Sequence, residues 1–476
     1  MIKILTVWLA LFAMTVHAQH HNRSELYLAP KDPLVKAKLE QWQTLKFGLM
    51  MHWGTYSQWG IVESWSLCPE DEPWCVRRGP YAKDWYTYKK AYEDLQKTFN
   101  PTRFNPQKWA DAASKAGMKY VVFTTKHHDG FCMFDTRQTD YKITSPLTPF
   151  HTNPQANVTK AIFEAFRAKG FMTGAYFSKP DWHTPTYWWP YFPPKDRNVS
   201  YNPVKYPDTW KAFKRFTYNQ IEELVTGYGQ VDILWLDGGW VRPKSSIDTA
   251  VEWQRTIPYD QDIDMASIAA MARRHQPGML VVDRTVPGEF ENYTTPEQTV
   301  PNHYLPNPWE SCITLGNSWS YVPNDEYKSA RTVIHLLTNI VSRNGSLLLN
   351  VGPGPDGEWD PKAYERLQEI GAWMQINGEA IYNSKANPAL EPTAQWVFTE
   401  KEDAIYAIYQ TRANEHALPT VMDLPLPKNI PIKQITLLGS KVKLNTKAIA
   451  SSWQILIPKA TQAPSEHAWV FKISKK

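Results

Sequence analysis

The feature that most constrains this chain is a series of short, continuous apolar runs, each of which ends in polar or aromatic residues. Continuous apolar runs of this length indicate strands that are buried on both faces, as in parallel sheets. The runs are FGLMMH (47–52), YVVFTTK (120–126), MTGAYFS (172–178), VDILWLD (231–237), MLVVDR (279–284), CITL (312–315) and SLLLNV (346–351). Helices are predicted before and between them, at 32–45, 106–116, 161–169, 210–228, 268–275 and 326–340.

The alternation of strands and helices predicts an α/β fold, specifically a (β/α)8-like TIM barrel. A doubly wound sheet is the alternative, but it requires a glycine-rich phosphate-binding turn after the first strand, and the sequence has none there. After Tyr382 the segments become short and β-rich, which predicts a small C-terminal β-sandwich. We therefore divide the chain into a signal peptide (1–18), a catalytic barrel domain (19–384) and a sandwich domain (385–476).

The N-terminus has the pattern of a secretory signal peptide. Lys3 precedes an almost wholly apolar stretch, and Val16 and Ala18 occupy the −3 and −1 positions of a cleavage site before Gln19. The apolar stretch is too short to span a bilayer, which takes about 20 residues. We expect an exported protein, periplasmic or extracellular, that has no membrane association after cleavage.

Composition excludes several classes of function. Charged residues make up 21% of the chain, and the net charge of +5 is spread without a dense basic run, so no nucleic-acid partner is expected. Four cysteines are too few for a disulfide scaffold. Cys68 and Cys75 bracket a short loop and could pair in an oxidising compartment, whereas Cys132 and Cys312 lie in apolar contexts typical of buried thiols.

Catalytic groups of a barrel lie at the C-terminal ends of its strands. Asp237 closes the run VDILWLD and is followed by two glycines, which suits a nucleophile at the barrel mouth. The alternative is an aspartate that caps a following helix. Cleavage of a glycosidic bond would need a second carboxylate, and spacing alone does not choose among the candidates Glu289, Glu291, Glu297 and Glu310.

The adjacent pair His127 and His128 also ends a predicted strand. Neighbouring residues on a strand point to opposite faces, so the two would not naturally share a metal ion. Hydrogen bonding to sugar hydroxyls is the favoured interpretation, and we expect neither a metal nor an organic cofactor.

Several motifs together resemble glycoside hydrolase family 29, the α-L-fucosidases, over residues 39–382. They are FGLMMHWGTYS, KYVVFTTKHHDGFCMFDT, VDILWLDGG and LLLNVGPGPDGE. The resemblance implies a retaining double displacement that removes terminal α-L-fucose from a fucosylated oligosaccharide or glycoconjugate. Asp237 would be the nucleophile and Glu297 of TPEQ the general acid/base, with Glu310 as the reserve candidate. Glu291 is expected on the surface of a loop.

The resemblance also implies a set of sugar-binding residues. Trp319 would pack near the C5 methyl of fucose. Glu63 and Trp65 of the segment VESW would form the family's glutamate–tryptophan pair, and Asp84-Trp85-Tyr86 is a competing match for that pair. The implied set is His52, Glu63, Trp65, His127, His128, Tyr176, Trp235, Arg284 and Trp319.

Three other functions stay open at this point. The chain could act on another sugar such as galactose, transfer fucose to an acceptor other than water, or bind carbohydrate without catalysis. The preferred linkage and the oligomeric state are not specified by the sequence.

Overall fold

The computed structural model describes residues 26–475, so the predicted signal peptide lies outside the described residues. Within that range, α-helices and β-strands alternate up to residue 350, and strands dominate after residue 395. The helices are α1 (Pro33–Leu45), α2 (Trp85–Glu93), α3 (Pro106–Lys115), α4 (Val158–Arg167), α5 (Pro207–Gly227), α6 (Met265–His275), α7 (Ala330–Val341) and α8 (Pro361–Asn377). The strands of the first part are β1 (Phe47–Met51), β2 (Tyr120–Lys126), β3 (Met172–Ser178), β4 (Ile233–Asp237), β5 (Leu280–Asp283), β6 (Trp309–Thr314) and β7 (Gly345–Asn350).

These seven strands form one parallel sheet in the order β5-β4-β3-β2-β1-β7-β6, which confirms the predicted barrel class. All five residues of β1 and all seven of β2 are buried, as the continuous apolar runs predict. The strand registers bring the C-terminal ends level with one another, since Ser178 pairs with Asp237 and Leu236 pairs with Asp283. Polar residues at the ends of these strands therefore face one common space.

The connection between β5 and β6 closes the gap between the two edge strands. Glu291 bridges to Val282 of β5, while Thr294 and Glu297 bridge to β6. The backbone N–H of Gln298 donates to the carbonyl of Cys312 at 3.0 Å. Residues 291–298, here called the closing segment, thus take the place of an eighth strand and lie at the barrel mouth.

Helix starts follow from local sequence. α1, α3 and α8 each begin with a proline that follows Asp32, Asn105 or Asp360, and each of these three side chains accepts a hydrogen bond from the first turn. An oxygen-bearing cap before a proline at the first helical position is a strong start signal. Among residues 26–475, no helix is both long and apolar enough to cross a membrane.

The C-terminal part is the predicted β-sandwich. One sheet has the order β11-β14-β9-β8 and the other β10-β13-β12, and their strands pair antiparallel. The four-stranded sheet packs on the barrel, where the indole N–H of Trp373 donates to the carbonyl of Ala468 at 3.0 Å. The strands are β8 (Trp396–Glu400), β9 (Ala404–Gln410), β10 (Val421–Leu424), β11 (Gln434–Leu437), β12 (Asn445–Ile449), β13 (Ser452–Leu456) and β14 (Ala468–Ser474).

Candidate active site

Asp237 lies at the end of β4 with its side chain 20% exposed to a cavity at the barrel mouth. Its Oδ1 accepts a hydrogen bond from Nη1 of Arg284 at 2.9 Å, and its Oδ2 accepts one from the hydroxyl of Tyr176 at 2.7 Å. Asp237 does not cap a helix, because the next α-helix begins at Met265 and is capped by Asp264. The carboxylate is therefore held in place by side chains of neighbouring strands.

The surroundings of Asp237 favour its ionised form. Burial by itself would raise the pKa of this carboxyl, but the guanidinium of Arg284 and then His128 and Tyr176 outweigh burial and lower the pKa well below its ordinary value. A carboxylate with so low a pKa is fully ionised at neutral pH, which a nucleophile requires.

Arg284 joins Asp237 to Glu297. Its Nη2 donates to Oε2 of Glu297 at 2.8 Å while its Nη1 holds Asp237, and its Nε donates to Thr295 Oγ1 at 3.1 Å. The guanidinium also lies over the ring of Trp235, 4.6 Å from the centroid. Glu297 is 31% exposed and lies on the closing segment. The guanidinium of Arg284 thus lies between the carboxyl groups of Asp237 and Glu297 at the cavity.

Three histidines line the cavity in their neutral form. Burial lowers the pKa of His52 to about 4 and that of His128 to about 3, and it lowers the pKa of His127 well below its ordinary value. Nδ1 of His52 lies 2.8 Å from Oδ1 of Asn350, and Nδ1 of His127 lies 2.7 Å from Oγ of Ser64. These contacts leave Nε2 of both rings for a ligand, and neutral rings with a fixed tautomer suit hydroxyl groups.

His127 and His128 reach the same cavity, with ring centroids 4.2 Å apart. Nε2 of His128 lies 3.8 Å from Oδ2 of Asp237, and its buried Nδ1 has no hydrogen-bond partner in the described part of the chain. Atoms of both histidines and of Asp237 lie within 4.8 Å of one another, close enough for a metal ion. Arg284 already neutralises Asp237, however, so a second cation would be repelled and a polar sugar fits better.

Glu63 and Trp65 stand on the loop after β1. Oε1 of Glu63 accepts from the backbone N–H of Ser320 at 2.7 Å, which ties this loop to the one that carries Trp319. Burial raises the pKa of Glu63 to about 8, so the carboxyl holds a proton at neutral pH. Trp65 lies edge-on to His128, with centroids 5.2 Å apart. The competing match at Asp84 is the exposed N-cap of α2, away from the cavity.

The cavity, of about 460 Å³, brings together every site residue that the sequence predicts. This volume falls within the range of small-molecule sites. Sequence reasoning missed part of its wall because these residues belong to long connections and to no recognised motif. The missed residues include Trp74, Arg197, Trp240 and Trp253.

The other glutamates occupy different places. Glu310 is fully buried inside the barrel, where it accepts from the Tyr120 hydroxyl at 2.7 Å and from the Trp235 indole at 3.1 Å. The expectation that Glu291 lies on the surface is wrong: it is 5% exposed and accepts from the backbone N–H of Thr285 at 2.9 Å. The closing segment folds back onto β5 and carries Glu291 inward. Glu289 is exposed.

All four cysteines are buried free thiols, which confirms the expectation for Cys132 and Cys312. Cys68 and Cys75 lie close together beside Glu70, with ligand atoms within 4.8 Å. Burial raises the pKa of Cys68. Pairing of these two thiols in an oxidising compartment stays a prediction.

The chain resembles known proteins over most of its length. The model of the alpha-L-fucosidase family matches residues 14–379. An alpha-L-fucosidase of Branchiostoma floridae is 27% identical, with 94% of this chain and 95% of that protein covered. The plasma alpha-L-fucosidase of Homo sapiens is 27% identical over 90% of this chain and 88% of its own length.

A solved structure shows the same similarity in three dimensions. Alpha-L-fucosidase isoenzyme 1 from Paenibacillus thiaminolyticus superposes with a TM-score of 0.74 at 28% identity. The match covers 93% of this chain and all of the other. Both the barrel and the sandwich thus fall within the compared region.

Glu310 gives a testable pH effect on stability. Burial raises its pKa to about 7 from an ordinary 4.5, so the folded state holds a proton that the unfolded state has lost. Stability from this group is therefore lost as pH rises from 4.5 through 7. Glu310→Gln removes the effect, so from pH 5 to pH 8 the variant should gain on the order of 2–3 kcal/mol relative to the parent, measured by urea unfolding.

The matched control for this experiment is Glu289→Gln, the same substitution at an exposed position on the connection that precedes β6. Its stability relative to the parent should not change between the two pH values. A Glu310→Gln variant that follows the parent equally at both pH values would contradict the assignment of a protonated, buried carboxyl.

Proposed function

Because this chain belongs to the alpha-L-fucosidase family, we propose that it hydrolyses terminal α-L-fucosyl linkages by double displacement, with Asp237 as nucleophile and Glu297 as general acid/base. The chain is a glycoside hydrolase of the α-L-fucosidase type, and its family implies a fucosylated glycan as substrate. The observation that carries the residue assignment is the pair of carboxylates on one guanidinium, that of Arg284.

In the first step, an oxygen of Asp237 attacks the anomeric carbon of fucose. The C1–O bond to the leaving group breaks, and a fucosyl ester of Asp237 forms. The hydrogen bonds from Tyr176 and Arg284 occupy one position on each carboxylate oxygen and fix the orientation of the carboxylate. This arrangement reduces the entropy lost on reaching the transition state, since the nucleophile is already positioned.

Glu297 gives its proton to the leaving oxygen in this step and takes one from water in the next. The water oxygen then bonds to C1 as the ester bond between C1 and Asp237 breaks, which releases fucose and restores the ionised Asp237 and the protonated Glu297. While Asp237 is ionised, the two carboxyl groups share the guanidinium of Arg284. Formation of the ester removes the charge of Asp237 and leaves the guanidinium to Glu297 alone, so Glu297 stays in place for the second step as general base.

Glu310 is a poor alternative for this role. Both of its carboxyl oxygens accept hydrogen bonds from buried side chains, and it lies outside the cavity wall. Glu297 is exposed to the cavity, so water can reach it after the leaving group has departed.

The neutral histidines support a sugar with a particular hydroxyl pattern. A hydroxyl that is missing or misplaced would leave buried ring nitrogens unpaired, at about 1–3 kcal/mol each. The ring of Trp319 lies 5.1 Å from that of His52 and offers an apolar wall for the C5 methyl. Such a wall distinguishes a methyl group by about 1–3 kcal/mol, so the histidines and the wall together favour fucose over galactose.

Asp237→Ala should lower kcat for 4-nitrophenyl α-L-fucoside by at least about 10³-fold, because the covalent step loses its nucleophile. The measurement is release of 4-nitrophenol by purified protein with an unchanged thermal midpoint. Azide should partly restore turnover and give the β-fucosyl azide, the inverted product. Asp403→Ala, at an exposed site in the sandwich, is the control. Substantial activity in Asp237→Ala without azide would rule out this nucleophile.

Glu297→Ala should affect substrates according to their leaving group. The loss should be large for a fucosyl disaccharide, about 10²–10⁴-fold, and much smaller for fucosyl fluoride, whose leaving group needs no proton. Azide should accelerate turnover and give α-fucosyl azide, the retained product. Glu289→Ala is exposed on the same connection and should behave like the parent. Equal losses on both substrates would argue against an acid/base role.

We also propose that the protein is exported, on the basis of the N-terminal sequence alone. Cleavage after Ala18 would release a chain that begins with Gln19. Expression of the full-length sequence followed by fractionation and N-terminal sequencing should find Gln19 as the first residue outside the cytoplasm. Protein that keeps Met1 and stays in the cytoplasm would contradict export.

A further inference from the structure

The cavity has an outer wall that combines Trp65 of the sugar-binding set with residues outside the recognised motifs. At its floor, His52 and Tyr176 are at most 6% exposed. Trp65, Trp74 and Trp253 of the outer wall are half-buried instead. If a terminal fucose binds at the floor, the rest of its glycan, which is the leaving group, points outward. The leaving group would therefore contact this outer wall.

Arg197 is the charged group of the outer wall. It lies on the long connection between β3 and α5, and its guanidinium carbon stands 4.9 Å from the ring of Trp65 and 5.3 Å from that of Trp240. Both rings also pack around His128, at 5.2 and 5.0 Å, and so adjoin the space in front of Asp237. Arg197 is therefore fixed next to the reacting centre and on its outward side.

Glu70 holds Arg197 in this position. Its Oε1 accepts from the backbone N–H of Arg197 at 2.9 Å and from Nε at 2.8 Å, while its Oε2 accepts from Nη2. The side chains are 13% and 17% exposed, so the pair is largely removed from water. Within residues 26–475, Nη1 of Arg197 makes no hydrogen bond, which leaves its two N–H groups for a ligand.

We propose that Arg197, Trp65 and Trp240 form a binding site for the sugar to which the fucose is attached, an inference that rests on the proposed function. The two indole rings hold the guanidinium, which lies over both of them, and an oxygen of that sugar accepts from Nη1 of Arg197. A hydroxyl or a carboxylate would serve as the acceptor, since a guanidinium donates to both. The leaving sugar would thus be selected for an oxygen acceptor at this point.

The test compares substrates with and without a leaving sugar. α-L-fucosyl fluoride has none, whereas disaccharides of α-L-fucose with galactose and with glucuronic acid carry a neutral and an acidic one. For Arg197→Met, the kcat/KM of each disaccharide relative to that of the fluoride should fall by about 10–100-fold, because a hydrogen bond from a charged donor is lost. Glu70→Gln, which loosens Arg197, should lower the same ratio less.

Arg103→Met is the matched control, since Arg103 is 61% exposed and pairs with Asp356 away from the cavity. It should leave the ratio unchanged. Arg197→Lys keeps the positive charge but lacks the several N–H donors of the guanidinium, so its ratio of disaccharide to fluoride kcat/KM should lie between those of the parent and Arg197→Met. This variant keeps the test decisive if Arg197→Met fails to fold.

The outcomes separate the proposed site from the proposed function. A larger loss with glucuronic acid would assign a carboxylate acceptor, and equal losses with both disaccharides would assign a hydroxyl. An unchanged ratio in Arg197→Met, with the parent active on all substrates, would overturn the site but not the fucosidase function. A parent that turns over neither the fluoride nor any disaccharide would overturn both.

Discussion

The interaction on which the site depends is the sharing of one guanidinium by two carboxylates. Arg284 donates to Asp237 through Nη1 and to Glu297 through Nη2, so it sets the position of both groups and lowers the pKa of Asp237. Because the guanidinium is planar and always charged, it fixes geometry in a way that a lysine would not. Thr295 and the ring of Trp235 hold the guanidinium itself. The site is thus rigid at its centre, although one carboxylate lies on a connection between strands.

The barrel makes this sharing possible through an irregular closure. A regular eighth strand would present alternate side chains inward, whereas the closing segment bridges β5 at one end and β6 at the other. Asn292 is buried there and accepts from the backbone N–H of Val281 at 2.9 Å. Gln298 has a φ of +53°, so the chain turns sharply just after Glu297. These constraints bring Glu297 to the guanidinium even though it follows no strand of its own.

The sequence predicted those parts whose signal is local. Apolar runs located β2 and β3 to the residue, and the strand-end rule found the polar residues of the floor. β6 begins three residues earlier than predicted because Glu310 and Ser311 interrupt the apolar run, although both are buried. Glu291 was wrongly predicted to be exposed, because the polar composition of its loop does not reveal that the closing segment folds back onto β5. Arg197 could not be found because its partners are distant in sequence.

The charges of the site balance in a way that follows the reaction. Burial keeps the histidines neutral and the Glu63 carboxyl protonated, with a pKa of about 8, so the ionisable groups closest to the reaction are Arg284, Asp237 and Glu297. In the proposed mechanism Glu297 starts protonated, so the charges of Arg284 and Asp237 cancel before the reaction begins. Proton transfer to the leaving group would then make Glu297 negative just as positive charge develops at the anomeric carbon. Since a charge is worth far more in a partly dry cavity than in water, this added negative charge stabilises the transition state rather than the bound substrate.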